Sequence, residues 1–156
     1  VRNLVNKFCE DGLLSPVMEK KGILGNVENA NRRPGDVSVP VWTHGKGLSM
    51  DVAVICPLVP TNMVHEEPCE IYGEEIKHAN YDQAFKLSAH DFAAMIFETS
   101  GAVNEEGENI LKQIFRFAAK IKGDRYSVYT AKAWARLSCC IQHSVAQSVL
   151  NRVVHI

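Results

Sequence analysis

Alternating valines form the clearest strand pattern in the chain. Val37, Val39 and Val41 alternate with polar or proline positions, and a second apolar run covers residues 48–57. The stretch 43–47 between the two runs is rich in turn-forming residues, so the pattern predicts a β-hairpin. Because the second run is apolar on both faces, it predicts an inner strand of a sheet.

Helical spacing of apolar residues appears on both sides of this hairpin. Four segments carry it: 4–9, 70–87, 104–121 and 127–152. Gly12 is predicted to close the first helix, and Asn104 to cap the third. Shorter apolar runs predict strands over 15–20 and 92–97, which gives the order α-β-β-β-α-β-α-α. The 70–87 helix is then a right-handed crossover between two parallel strands.

Composition bounds the class of protein without identifying it. A length of 156 residues suits one domain. The chain is 46% hydrophobic and 22% charged, typical of a globular protein with a sizeable core. Its net charge of -1 does not indicate a nucleic-acid binder, so such binding requires a local basic strip. The pairs Arg32-Arg33 and Lys20-Lys21 are candidates, whereas the basic residues over 112–122 favour a solvated helix face.

The cysteines point to a reducing compartment. There are five of them, none in a CxxC pair, which favours reduced thiols and an intracellular protein. The sequence has neither a signal peptide nor an apolar run long enough to span a membrane. Because the chain starts at Val1 and not at methionine, we expect it to be a segment of a larger polypeptide.

Two aspartates and a lysine are the candidate chemistry. Asp36 precedes the first hairpin strand and Asp51 lies in the second, so the hairpin brings them near each other. Asp36 has an alternative role as a turn cap after Pro34. Asp51 has no such alternative, since an aspartate inside an apolar strand is costly unless it is paired or metal-bound. Carboxylates bind hard cations such as Mg²⁺. Lys77, on the next helix, could supply a positive charge to a phosphate. A lysine in a helix is also compatible with a surface position that has no function.

This element order, with these residues, resembles the PD-(D/E)XK restriction-endonuclease-like fold, an α/β mixed sheet with an α-β-β-β-α-β core. More narrowly, it is similar to the restriction-like endonuclease domain of site-specific non-LTR retrotransposons and related reverse-transcriptase-associated proteins. The matching residues are Asn3-Leu4, Glu19, Arg33-Pro34-Gly35-Asp36-Val37, Met50-Asp51-Val52-Ala53-Val54, and Lys77 with Tyr81. The resemblance covers a core of about 1–100 within a single domain, 1–156, and leaves a C-terminal helical extension over about 104–152.

The sequence departs from the family pattern at two positions. Gly35 separates Pro34 from Asp36, and Ala53 stands where the superfamily usually carries its lysine. The retrotransposon type moves that lysine onto the following helix, where Lys77 stands in this chain.

The resemblance implies a metal-dependent DNA endonuclease that nicks a target. Asp36 and Asp51 would hold Mg²⁺ or Mn²⁺, and Lys77 would stabilise charge on the scissile phosphate. Glu19 is either a further carboxylate of the metal site or a solvated strand residue, with Glu10 as a weaker substitute. The residues implied in DNA contact are Arg32, Arg33 and Tyr81. A nuclear location follows from this interpretation.

Two other functions stay open. A structure-specific resolvase on the same fold would act as a homodimer. A catalytically silent nucleic-acid-binding or structural domain, derived from a nuclease, is favoured by Ala53 and by the near-neutral charge. The retained carboxylates argue against the silent domain.

Overall fold

Our computed structural model describes residues 1–24 and 31–153, with side chains as far as Arg152. It is a mixed α/β structure with one four-stranded sheet, which confirms the predicted class. The strands are β1 (Val17–Met18), β2 (Val37–Val39), β3 (Gly47–Ile55) and β4 (His90–Glu98). The helices are α1 (Arg2–Asp11), α2 (Pro60–Met63), α3 (Pro68–Ile71), α4 (Ala79–Phe85), α5 (Glu105–Lys122) and α6 (Tyr126–Val153). A π-helical segment, Tyr72–His78, joins α3 to α4 without a break in helical backbone.

The sheet has the order β1-β2-β3-β4. Strands β2 and β3 are antiparallel, and β3 runs parallel to β4 with Asp51 opposite Ala94. The hairpin and the parallel crossover are therefore confirmed, and β3 is an inner strand. The helical stretch 68–85 makes the crossover, close to the predicted 70–87.

The first two strands are shorter than predicted. Strand β2 ends at Val39, because Pro40 has no N–H for the ladder and Val41 is exposed. Strand β1 is only two residues long. The prediction that Glu19 lies in this strand is wrong, since its φ of 48° puts it in the left-handed region just after β1.

Helices cover both faces of the sheet. Side chains that alternate along the strands face α1, α5 and α6 on one side, where they form the larger core cluster, including Phe8, Val37, Met50, Phe97 and Phe115. The other face packs against the crossover helix through a smaller cluster, including Phe85, Phe92 and Ile96. Asp51 alternates with Met50 along β3, so it belongs to the face under the crossover helix.

The outer edge of β4 is closed by side chains. Asn104 is the N-cap residue of α5, as predicted, although its side chain makes no capping hydrogen bond. Instead Asn104 Oδ1 accepts the Ile96 N–H at 2.9 Å, and Nδ2 donates to the Ala94 carbonyl at 2.8 Å. Glu106 Oε2 accepts the Ala94 N–H at 2.9 Å. These bonds satisfy backbone groups that an open strand edge would leave unpaired.

Candidate nuclease site

Asp51 lies in the middle of β3, beneath the π-helical segment. Its Oδ2 is 2.5 Å from Lys77 Nζ, and the two side chains are only 15% and 19% exposed. The two residues lie far apart in sequence and meet only because the crossover helix packs over the sheet. An ion pair of this kind offsets part of the cost of an aspartate within an apolar strand.

Lys77 is held in its protonated form. Burial by itself lowers the pKa of Lys77, but the close contact with the Asp51 carboxylate and its negative charge act more strongly, so the pKa is raised above its ordinary value. The Nζ atom also lies 5.7 Å from the centroid of the Tyr72 ring, within cation–π range. At neutral pH Lys77 is thus a fixed positive charge and not a proton acceptor.

Asp36 reaches the same position of β3 from the neighbouring strand. Pairing between β2 and β3 ends at Val37 and Met50, so the Val52 N–H has no ladder partner on β2. Asp36 Oδ2 accepts that N–H at 2.9 Å. The carboxylate therefore bonds to the peptide that links Asp51 to Val52, and it does not serve as a cap of the turn after Pro34.

Gly35 allows this approach. A Cβ atom at Gly35 would lie 2.3 Å from Ser49 Oγ and 3.1 Å from the Met50 carbonyl oxygen. The first distance is shorter than real Cβ contacts and the second is tight, so a side chain here would require its neighbours to shift, and glycine lets the backbone before Asp36 run against β3. The inserted glycine in the Pro34–Asp36 motif consequently has a structural reason.

Glu19 is connected to Asp36 through an arginine. Arg2 Nη1 lies 2.7 Å from Glu19 Oε1 and 3.4 Å from Asp36 Oδ1. Arg33 Nη1 contacts the other Glu19 oxygen at 2.5 Å. The backbone N–H of Glu19 donates to the Asp36 carbonyl at 2.8 Å. Sequence reasoning missed Arg2, because nothing in its local pattern distinguishes it from a solvated helix residue.

The remaining candidate residues divide into two groups. Arg32 lies over the Tyr81 ring at 5.9 Å, and that ring packs on Phe92 at 4.9 Å, so Tyr81 links the core to the exposed arginine. Glu10 is elsewhere: its carboxylate bonds to Asn6 and Lys7 on the exposed side of α1. The expectation that Glu10 could substitute for Glu19 therefore finds no support in its position.

Asp36 and Asp51 are carboxylates on paired strands, and each contacts a partner within the chain. Within residues 1–24 and 31–153, no group of three histidine, cysteine, aspartate or glutamate side chains is arranged to hold a metal ion. Mg²⁺ in phosphoryl-transfer sites usually takes only one or two carboxylates and completes its shell with water and substrate phosphate. Two carboxylates are the number of protein ligands that such a site requires.

Nothing in the described part of the chain has the length and apolar character of a bilayer-spanning helix.

Comparison with known proteins adds no assignment. No protein-family model matches the chain, and neither the curated proteins nor the solved structures contain a significant match.

Proposed function

We propose that this chain is a metal-dependent DNA endonuclease on a restriction-endonuclease-like fold, acting as the target-nicking domain of a retrotransposon-type polypeptide. The observation that carries the proposal is the Asp51–Lys77 ion pair, 2.5 Å long and largely buried, beside the Asp36 carboxylate on the Val52 N–H. Buried charge is costly, and a domain of this size has little free energy to spare for it without a functional reason.

The order of elements supports the fold part of the proposal. An α-β-β-β-α-β core with one antiparallel hairpin and one parallel crossover is the arrangement that the resemblance implies. Asp36 stands at the start of β2, Asp51 within β3, and Lys77 on the crossover helix. All three positions agree with the family pattern on which the resemblance rests.

Each residue of the candidate site has a catalytic role that agrees with its contacts. Asp36 and Asp51 would hold the cation, which when bound supplies a water of lowered pKa and neutralises phosphate charge. Lys77 contributes a protonated ammonium next to Asp51, suited to the negative charge that develops on the scissile phosphate. Arg33 orders Glu19, and Glu19 in turn fixes Arg2 next to Asp36.

We assign DNA contact to two exposed arginines near the candidate site, Arg32 and Arg33. Arg32 and Arg33 lie in the segment that leads into β2 and are both exposed. Guanidinium groups suit phosphate oxygens, and an arginine over a tyrosine ring also forms a platform on which an unstacked base can pack. The net charge of -1 makes this local strip the relevant electrostatic feature.

A catalytically silent nucleic-acid-binding domain is the second candidate. It is favoured by one observation: each carboxylate of the site already has a cationic or N–H partner in the chain, namely Lys77, the Val52 N–H, Arg2 and Arg33. A self-neutralised cluster of this kind is stable without metal. A dimeric resolvase on the same fold differs from the first proposal in requiring branched DNA.

Plasmid cleavage separates these candidates. Supercoiled plasmid is incubated with wild-type protein in Mg²⁺, in Mn²⁺ and in EDTA, alongside Asp51→Asn and Asp91→Asn. Asp91 is the matched control, since it also pairs with a lysine, Lys46, but both side chains are 47% exposed. We expect metal-dependent nicking by wild type and Asp91→Asn and none by Asp51→Asn. Binding without cleavage in every metal would instead support the silent domain, and cleavage confined to branched DNA the resolvase.

A further inference from the structure

His78 makes two ion-pair contacts immediately beside Lys77. It is the last residue of the π-helical segment, and its side chain is 18% exposed. Its Nδ1 lies 2.7 Å from Asp82 Oδ1, and its Nε2 lies 2.9 Å from Glu106 Oε2. The ring also meets Phe92 edge-on at 5.3 Å. His78 therefore connects the crossover helix to the first turn of α5.

The Glu106 oxygen that contacts His78 also bonds to β4. Glu106 Oε2 accepts the Ala94 N–H at 2.9 Å, and Ala94 is the β4 residue opposite Asp51. The contacts from His78 thus end at the strand position next to the candidate catalytic aspartate. Lys77 and His78, adjacent in sequence, thus contact neighbouring strands: Lys77 bonds to Asp51 on β3, and His78 reaches Ala94 on β4 through Glu106.

The two contacts come from adjacent residues of one π-helical segment. Lys77 contacts Asp51 on β3, whereas His78 reaches the outer edge of β4 through Glu106. A π-helical segment is an uncommon backbone arrangement that is frequently found at functional sites. Rotation of this segment by one side-chain position would separate Lys77 from Asp51.

We propose that His78 is a positioning residue for Lys77: its bridge from Asp82 to Glu106 fixes the π-helical segment against the edge of β4, so that the Lys77 ammonium meets Asp51. The value of this role for DNA cleavage rests on the proposed function. The positioning itself does not, because it concerns the contact between Lys77 and Asp51 in the free protein.

The charges around His78 make the bridge sensitive to pH. The charged groups that face its ring are both acidic, Asp82 from α4 and Glu106 from α5, while β4 presents the Phe92 ring. Burial lowers the pKa of His78, but its bonds to Glu106 and Asp82 act more strongly and raise it above the ordinary value. A protonated imidazole donates from both nitrogens, and a neutral one from a single nitrogen. The bridge therefore loses one of its two bonds as pH rises through the His78 pKa.

NMR spectroscopy tests the inference without any need for activity. The Lys77 ¹³Cε and ¹⁵Nζ resonances of the full chain are recorded below the His78 pKa, where the bridge is complete, in wild type and in His78→Gln. Asp51→Asn gives the reference resonances of a Lys77 without its anionic partner, and His143→Gln is the matched control, since His143 lies on the exposed face of a helix. We expect the Lys77 resonances to move toward the Asp51→Asn values in His78→Gln and to stay at the wild-type values in His143→Gln.

The Asp51→Asn reference separates movement of Lys77 from a simple charge effect. Loss of the positive His78 charge by itself leaves the contact between Lys77 and Asp51 in place, so the Lys77 resonances would stay closer to wild type than to Asp51→Asn. A shift most of the way to the Asp51→Asn values therefore reports separation of Lys77 from Asp51. A folded His78→Gln protein whose Lys77 resonances stay at the wild-type values would overturn the proposal.

A second measurement needs no variant. In wild type the Lys77 ¹³Cε resonance should show a step at the pKa of His78, read from the His78 ring itself. Absence of that step would also overturn the proposal, even if the substituted protein does not fold.

Cleavage then reports the functional consequence. We expect His78→Gln to nick plasmid about 10- to 100-fold more slowly than wild type below the His78 pKa, because a small misplacement of a catalytic group costs up to this factor. The difference should shrink as pH rises through that pKa. If wild type does not cleave DNA, the proposed function fails and the NMR result still decides the role of His78. If wild type cleaves DNA but the Lys77 resonances do not respond to His78→Gln, only the role of His78 is refuted.

Discussion

At the scale of single residues, Lys77 and His90 show opposite solutions to the cost of burying a titratable group. Lys77 retains its charge by pairing with Asp51. His90 is buried at the start of β4, and neither ring nitrogen has a hydrogen-bond partner among the described residues. Burial, with a further contribution from Lys20, lowers the pKa of His90 despite the opposing charge of Asp91. The first group is charged in the folded state and the second is neutral.

Lys77→Ala is predicted to abolish cleavage and to retain DNA binding. A point charge acting on the transition state contributes to rate more than to ground-state affinity. Nicking of plasmid and retention of labelled duplex on a gel measure the two properties. Lys46→Ala, which removes an exposed ion pair with Asp91, is the control and should behave as wild type. Full activity in Lys77→Ala would assign the positive charge of the site to another residue.

Lys77→Ala is also predicted to lower the free energy of unfolding by about 1–3 kcal/mol, because it leaves Asp51 largely buried without its cation. The double variant Lys77→Ala/Asp51→Ala should recover part of that loss. Urea denaturation of the two single variants and the double variant gives the coupling free energy. A coupling free energy near zero would mean that the ion pair between Lys77 and Asp51 does not contribute to the free energy of unfolding.

His90 is predicted to make the fold sensitive to acid. Its folded pKa is lowered, so below an unfolded pKa of about 6.5 the unfolded chain binds a proton that the folded chain resists. The stability contributed by neutral His90 is fully present above that pH and is lost as pH falls below it. His90→Leu should flatten the free energy of unfolding between about pH 6.5 and 5 relative to wild type. The exposed His44→Leu is the control, and an equal slope in all three proteins would contradict the assignment.

At the scale of elements, the site depends on how closely the segment before β2 approaches β3. Strand β2 is only three residues long, so Gly35 and Asp36 continue along β3 where regular pairing has stopped. The Asp36 N–H donates to the Met50 carbonyl at 2.8 Å, and its side chain replaces the missing strand at Val52. The position of Asp36 is therefore set by the end of a strand and by a glycine, not by a turn.

Gly35→Ala is predicted to destabilise the fold by about 1–3 kcal/mol, the usual cost of forcing atoms into a packed region. Its Cβ would meet Ser49 Oγ at 2.3 Å and the Met50 carbonyl at 3.1 Å. Cleavage should fall with it, because Asp36 must move away from Val52. Gly73→Ala is a control close to the site: a Cβ there meets its nearest atom, Asn104 Nδ2, at 3.4 Å. Thermal unfolding of both variants checks the prediction, which equal midpoints would contradict.

At the scale of the whole molecule, the sheet joins three distant parts of the chain into one site. Asp36 comes from the entry into β2, Asp51 from the inner strand, and Lys77 from the crossover helix, while α5 closes the edge of β4. On the sheet face opposite the crossover helix, the core contains α1, α5 and α6. This packing of α1 places Arg2 within contact distance of Glu19 and Asp36. A cation held by Asp36 and Asp51 would consequently link the two strands of the hairpin.

Mg²⁺ is predicted to stabilise the folded chain, since a ligand that binds only the folded state adds RT ln(1 + [L]/Kd) to its stability. At a concentration about 100 times Kd the gain is about 2.7 kcal/mol. Thermal unfolding with Mg²⁺ and with EDTA measures this gain, and Asp51→Asn should remove most of it. Asp91→Asn should retain the gain. An unfolding midpoint independent of Mg²⁺ would speak against a metal site in the free protein.

The sequence by itself determined the elements and their order. Periodicity depends on neighbouring residues alone, so it located the hairpin, the inner strand β3, the crossover helix and the two long C-terminal helices. The alternation of Val37 and Val39 with Ser38 also assigned the buried face of β2 correctly. Asp51 was recognisable as a residue in need of a partner, because its apolar neighbours are visible in the chain.

The tertiary structure alone decided which charges meet. Sequence reasoning identified Lys77 through a family pattern, but the 2.5 Å contact with Asp51 depends on the packing of a helix over a sheet. Nothing local predicted that the Asn104 side chain would bond to β4 instead of capping α5, or that Arg2 would bridge Glu19 and Asp36. The same holds for the His78–Glu106 contact across 28 residues. Long-range polar contacts leave no period in the sequence, because their partners are fixed by the fold and not by spacing along the chain.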